Sequence, residues 1–142
     1  MRNKGLKIIY NKEEYEFLLK KLKTFTLSEL ADNSQIESII IFGSYATKNY
    51  TSESDLDLCF LFKQRTIRSL EVEIHDKILD LSKELDLIIQ CIYIYPEKIH
   101  NWDETLIEDI LRKGILIYGS NKYKTIFHTK SFRKTEELKT NQ

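Results

Sequence analysis

Leu70, Ile74, Ile78, Leu81 and Leu85 recur at intervals of four, four, three and four, and no other feature of this sequence restricts its fold as much. Side chains three and four apart share one face of a helix, so the spacing predicts a helix over Arg68 to Leu85 with a single apolar stripe. Such a stripe must be buried against another layer of structure. The runs on either side supply that layer. Leu56 to Phe62 precedes the helix, and Asp86 to Tyr95 (DLIIQCIYIY) follows it, stopped by Pro96. The helix therefore returns the chain across a sheet, where the later run can lie beside the earlier one.

Ile36 to Phe42 (IESIIIF) is β-branched and bounded by turn residues, so it reads as a buried strand. Ahead of it, Asn11 can cap a helix with Glu14 at the capping-box position, and Tyr15, Leu18, Leu19 and Leu22 follow at helical spacing. Leu27 to Ala31 reads as a short helical piece ended by the Asp32-Asn33-Ser34 turn. Asp103 to Lys113 is a further amphipathic helix with Gly114 as its stop, and Ile115 to Tyr118 adds a short strand. The predicted order α, β, β, α, β, α gives an α/β (α+β) fold, with a small sheet flanked by helices. Residues 1–120 form the expected domain. Residues 121–142 form a mildly basic tail, with six Lys/Arg against two Glu and no strong apolar pattern.

A chain of 142 residues can bury a real core as one domain. Lys plus Arg and Asp plus Glu both number 22, so no global charge points to nucleic acid as a direct partner. The longest apolar stretches fall far short of a membrane span, and MRNKGLKIIY lacks the core of a secretory signal. Cys59 and Cys91 both lie in apolar strand-like runs. They read as two buried thiols in a reducing cytoplasm, with a disulfide between neighbouring strands as the alternative.

Three features carry chemistry. Gly43-Ser44 directly follows a buried strand and precedes a possible helix turn, where glycine permits close approach and the serine hydroxyl suits phosphate oxygens. Asp55 and Asp57 sit two apart at a strand start, so both carboxylates project from one face. Two anions that close repel unless a cation joins them, and oxygen-only ligands suit Mg²⁺. Asp86 opens the third apolar run as Asp55 and Asp57 open theirs, which makes it the candidate third acid; Glu84 competes for that role. Gln90 shares the face of Asp86 by alternation, where it can touch a nucleotide or satisfy a core hydrogen bond. Ser54 can hold a carboxylate or cap the turn. Tyr45 can line a nucleotide pocket or stand exposed. His75 reads as structural or surface, and His100 and Trp102 as packing.

The segment FGSYATKNYTSESDLDLCFLF places ten residues between Gly-Ser and Asp-x-Asp. It resembles the DNA polymerase beta-like nucleotidyltransferase superfamily, and more narrowly its minimal nucleotidyltransferase (MNT) group, as does the closing IEDILRKGILIYG. The likeness runs from about Ile36 to Gly119. It implies that group's fold, a small mixed sheet flanked by helices. It implies two Mg²⁺ ions on Asp55 and Asp57 with Asp86 completing one shell, and Asp86 orienting or deprotonating the acceptor hydroxyl. ATP is then the implied substrate, its triphosphate held by Gly43, Ser44 and Lys48. One departure stands out: many relatives read Gly-Ser-x-Ala-Arg-Gly, whereas Thr47 and Lys48 fill the last two places here. Lys48 offers a point charge rather than a planar fork.

The resemblance also implies a partner. MNT proteins are commonly encoded beside a HEPN-domain protein, and such pairs act as toxin and antitoxin, with AMP moved from ATP to a tyrosine of the toxin. A cytoplasmic antitoxin that adenylylates a HEPN partner is the leading expectation. The alternatives are a non-catalytic antitoxin that works by contact, and a small-molecule (aminoglycoside-like) nucleotidyltransferase completed by another subunit. Nucleotide preference, acceptor and oligomeric state stay open at this level.

Overall fold

The computed structural model describes residues 6–32, 35–65, 68–95 and 104–120. Helix α1 spans Lys12–Phe25, and Asn11 caps it by accepting a hydrogen bond from the Glu14 N–H at 3.0 Å. It runs directly into a π-helical turn, Thr26–Leu30, where a separate helical piece was expected over Leu27 to Ala31. Strand β1 is Ile36–Phe42, the short helix α2 is Ser44–Thr47, and strand β2 is Leu56–Phe62. Helix α3 is Arg68–Leu85, strand β3 Ile89–Ile94, helix α4 Glu104–Lys113 and strand β4 Ile115–Gly119.

The four strands form one sheet in the order β3-β2-β1-β4. β1 pairs antiparallel with β2 and with β4, while β2 and β3 are parallel. A parallel pair needs a long crossover, and α3 is that crossover, so the stripe does what its spacing demands. The expected mixed sheet flanked by helices is borne out.

Alternation along the strands divides the core into two layers. Ile39, Ile41, Leu58 and Phe60 meet Leu22 of α1 and Ile74, Ile78 and Leu81 of α3. Ile40, Cys59, Leu61 and Ile94 meet Ile107, Ile110 and Leu111 of α4 on the opposite face. Both cysteines are free thiols, Cys59 buried and Cys91 partly buried. Among the described residues no helix is long and apolar enough to cross a membrane.

The third strand starts later than alternation predicts. Asp86 does not open β3; it adopts a left-handed conformation, φ 51°, just past α3. Its N–H donates to the Lys83 carbonyl at 3.3 Å, and the Leu87 N–H donates to the Ser82 carbonyl at 3.1 Å. These two bonds close the helix in a Schellman motif, so the chain spends Asp86 to Ile88 leaving the helix before pairing begins. Asn33, Ser34, Pro96, His100, Trp102, Asp103 and the 121–142 tail lie outside the described residues. His75 is exposed on α3.

Candidate active site

The site forms where β1 ends and β2 begins. Antiparallel register sets Phe42 opposite Asp57, so the loop between them leaves the sheet and returns to the same edge. Gly43 makes the first turn with φ 72° and ψ −152°, a conformation strained for any residue with a side chain. A Cβ there would run into Oδ2 of Asp57. The backbone conformation calls for glycine, and the two halves of the motif lie against each other.

The loop is held by aromatic packing. Tyr45 and Tyr50 stack with centroids 4.0 Å apart, and the Tyr15 hydroxyl donates to the Tyr45 carbonyl at 2.6 Å. Tyr45 is therefore neither a pocket wall nor an exposed loop residue; it is buried and anchors α2 to α1. Burial, then the neighbouring Tyr50 and Tyr10, pushes the Tyr15 phenol up to about 12, so the cluster stays neutral. Lys48 closes α2 at φ 64°, and its ammonium lies 5.4 Å from the Tyr10 ring centre and 5.6 Å from that of Tyr15. That cation–π contact directs Lys48 to the tyrosines. Ser54 adopts the turn-capping alternative, its Oγ accepting from the Thr51 N–H at 2.9 Å.

Asp55 and Asp57 lie on the α4 side of β2, in line with Cys59 and Leu61, and both are partly exposed. Burial, and after it the charge of Asp55, raises the Asp57 carboxyl above its ordinary range. The parallel register sets Gln90, not Asp86, opposite Asp57. Gln90 Nε2 donates to Oδ2 of Asp55 at 2.6 Å. Among the described residues, no third carboxylate, imidazole or thiol joins the two aspartates in a group able to hold a metal ion. Alternation in the sequence had put Gln90 on one face with Asp86, as an amide within the apolar run IIQCIYI.

At the Gly43-Ser44 half of the motif, a cleft of about 440 Å³ opens between α2 and α4, lined by Gly43, Ser44, Thr47, Leu106, Asp109 and Lys113. Lys113 brings a cation to this wall and pairs with Asp109 at 3.6 Å. Neither residue stood out in the sequence, because an acid and a lysine four apart on a helix ordinarily form a solvated pair.

The donor set fits magnesium. Mg²⁺ takes oxygen ligands, commonly one or two carboxylates together with substrate phosphates and water. Asp55 and Asp57 supply two carboxylates from one face, and a cation between them would offset both the burial of Asp57 and the lesser repulsion from Asp55.

Residues 25–123 match the model of the family described as Polymerase beta, Nucleotidyltransferase. No curated protein sequence matches the chain. Among solved structures, the fold resembles a chain of a toxin–antitoxin complex crystallised with AMP-PNP, at TM-score 0.58 and 15% identity, covering 87% of this chain and 90% of that one. It also resembles a chain of the Shewanella oneidensis complex of a tri-AMPylated HEPN toxin with its MNT antitoxin, at TM-score 0.55 and 14% identity, covering 89% and 91%. At such identities the likeness is one of fold.

Proposed function

The chain belongs to the polymerase beta nucleotidyltransferase family, and on that premise we propose that it moves AMP from ATP to a protein hydroxyl, as the antitoxin of a HEPN-domain partner. The observation that carries this reading is the contact between its two motif halves: Gly43 leaves no room for a Cβ against Asp57. A phosphate chain lying along Gly43-Ser44 would then reach the carboxylates directly. The tri-AMPylated HEPN toxin in a complex of the same fold supports the choice of nucleotide and partner. The free thiols fit a cytoplasmic protein.

In this reading Asp55 and Asp57 hold magnesium that arrives with ATP, which would neutralise charge at the reacting phosphate. Gly43 and Ser44 bind the β- and γ-phosphates. Lys113 faces them across the cleft, a more direct source of positive charge than Lys48. The acceptor oxygen bonds to the α-phosphorus as the α–β bridging bond breaks. Pyrophosphate leaves with that electron pair, and the hydroxyl proton passes to solvent.

The experiment is incubation of the chain with its HEPN partner, Mg²⁺ and ATP labelled at the α-phosphate. Label on the partner, lost together with protection in Asp55→Ala/Asp57→Ala, is the expected result. A contact-only antitoxin is a second reading, favoured by the amide at Gln90 and by Thr47 in the place where many relatives carry arginine. It predicts no label, with toxicity still suppressed by the double variant.

A further inference from the structure

We propose that Lys113 and its counter-ion Asp109 form the specificity element of the nucleotide site, holding the third phosphate so that the cleft takes a nucleoside triphosphate in preference to a diphosphate. The inference rests on the nucleotide-site reading above and concerns which ligand that site selects. With the α-phosphorus at Asp55 and Asp57, the remaining phosphates follow Gly43-Ser44 into the cleft between α2 and α4. The last of them is the one that comes to the α4 wall, and a diphosphate stops one phosphate short.

Two negative features meet a phosphate there: the Asp109 carboxylate, and the C-terminal end of α4, where the helix dipole is negative. Lys113, in the last turn of α4, is the one cation among the described residues that line the cleft. Thr47 is uncharged, and Lys48 lies over the tyrosines. Lys113 therefore sets the sign of the wall. Its ammonium lies 3.6 Å from Oδ1 of Asp109, in an exposed pair of the kind that holds weakly. The same oxygen lies 3.8 Å from the Arg112 guanidinium, so Asp109 keeps a cationic partner when Lys113 turns to a phosphate. Releasing Lys113 costs little, and a ligand long enough to reach it recovers that cost.

Titration calorimetry of the full chain with α,β-methylene ATP and with α,β-methylene ADP, each in Mg²⁺, tests this. The wild type binds the triphosphate at least about 10-fold more tightly than the diphosphate, the scale of one charge-assisted contact. Lys113→Met loses that preference by weakening the triphosphate alone, and Lys113→Arg keeps it. Asp109→Asn frees Lys113 and tightens the triphosphate by about two- to fivefold. Both side chains are largely exposed, so all three variants keep the wild-type unfolding midpoint to within a small shift. No preference in the wild type, equal weakening of both nucleotides in Lys113→Met, or triphosphate binding not tightened in Asp109→Asn would each overturn the proposal. Nucleotide binding that Asp55→Ala/Asp57→Ala leaves unchanged would instead overturn the nucleotide-site reading, and this inference with it.

Discussion

The two faces of β2 divide the labour of the molecule. Toward α1 and α3, Leu56, Leu58, Phe60 and Phe62 are each 2% exposed or less, an unbroken apolar row to the strand's first residue. Toward α4 the row changes character halfway. Cys59 and Leu61 are buried under Ile107 and Ile110, whereas Asp57 and, just before the strand, Asp55 stay partly open. One face spends all its positions on stability. The other stops packing two residues short and uses the remainder for charge, so a rigid layer lies directly behind a polar site.

This contrast predicts effects of different kinds. Phe60→Ala empties a fully buried position and should cost about 3–5 kcal/mol of stability, read from urea unfolding. Nucleotide affinity in whatever fraction stays folded should be unchanged. On the opposite face, Asp55→Ala/Asp57→Ala should reduce AMP transfer by at least about 100-fold, beyond what disturbing a ligand's support alone does. Its thermal midpoint should not fall. Loss of both properties in either variant would break the division.

Gly43→Ala lies where the two kinds of effect meet. Its backbone conformation alone should cost about 1–3 kcal/mol, and the new methyl would also collide with Asp57. Stability and transfer should fall together in this variant, by denaturant unfolding and by α-phosphate label.

Asp57→Asn sharpens the comparison with a smaller effect of opposite sign. The Asp57 carboxyl is raised in the folded state, so its ionisation weakens the metal-free fold. The penalty is complete above the folded pKa and disappears as pH falls through it toward the unfolded value. In metal-free buffer Asp57→Asn should melt higher than wild type at neutral pH, with the gap closing on acidification. The same substitution should abolish transfer. Smallest of all, Lys48→Met should cost about 0.5–1 kcal/mol, the scale of an exposed cation–π contact, and leave ATP affinity within twofold.

Much of this arrangement was legible in the residues. The stripe from Leu70 to Leu85 required a crossover helix and hence a sheet beneath it. Gly43-Ser44 and Asp55-Asp57 flank one loop between two strands, and an antiparallel return leaves them only one place to meet. What could not be read was phase. Asp86 was expected to begin the third strand, but the left-handed turn closing α3 consumes residues that alternation counts as strand. Parallel register is fixed by the crossover and its packing rather than by a tight turn, so no local signal distinguished Asp86 from Gln90 as the residue facing Asp57. Lys48 shows a similar limit: its left-handed backbone sends the side chain over Tyr10 and Tyr15, a direction spacing cannot reveal.

The central claim is that the Gly43-Ser44 turn and the Asp55-Asp57 pair act as one nucleotide site. Isothermal titration of the full chain with α,β-methylene ATP, with and without Mg²⁺, tests it most directly. The account predicts Mg²⁺-dependent binding in the wild type, lost in Asp55→Ala/Asp57→Ala and weakened in Gly43→Ala. Equal binding by all three proteins, or binding indifferent to Mg²⁺, would contradict it.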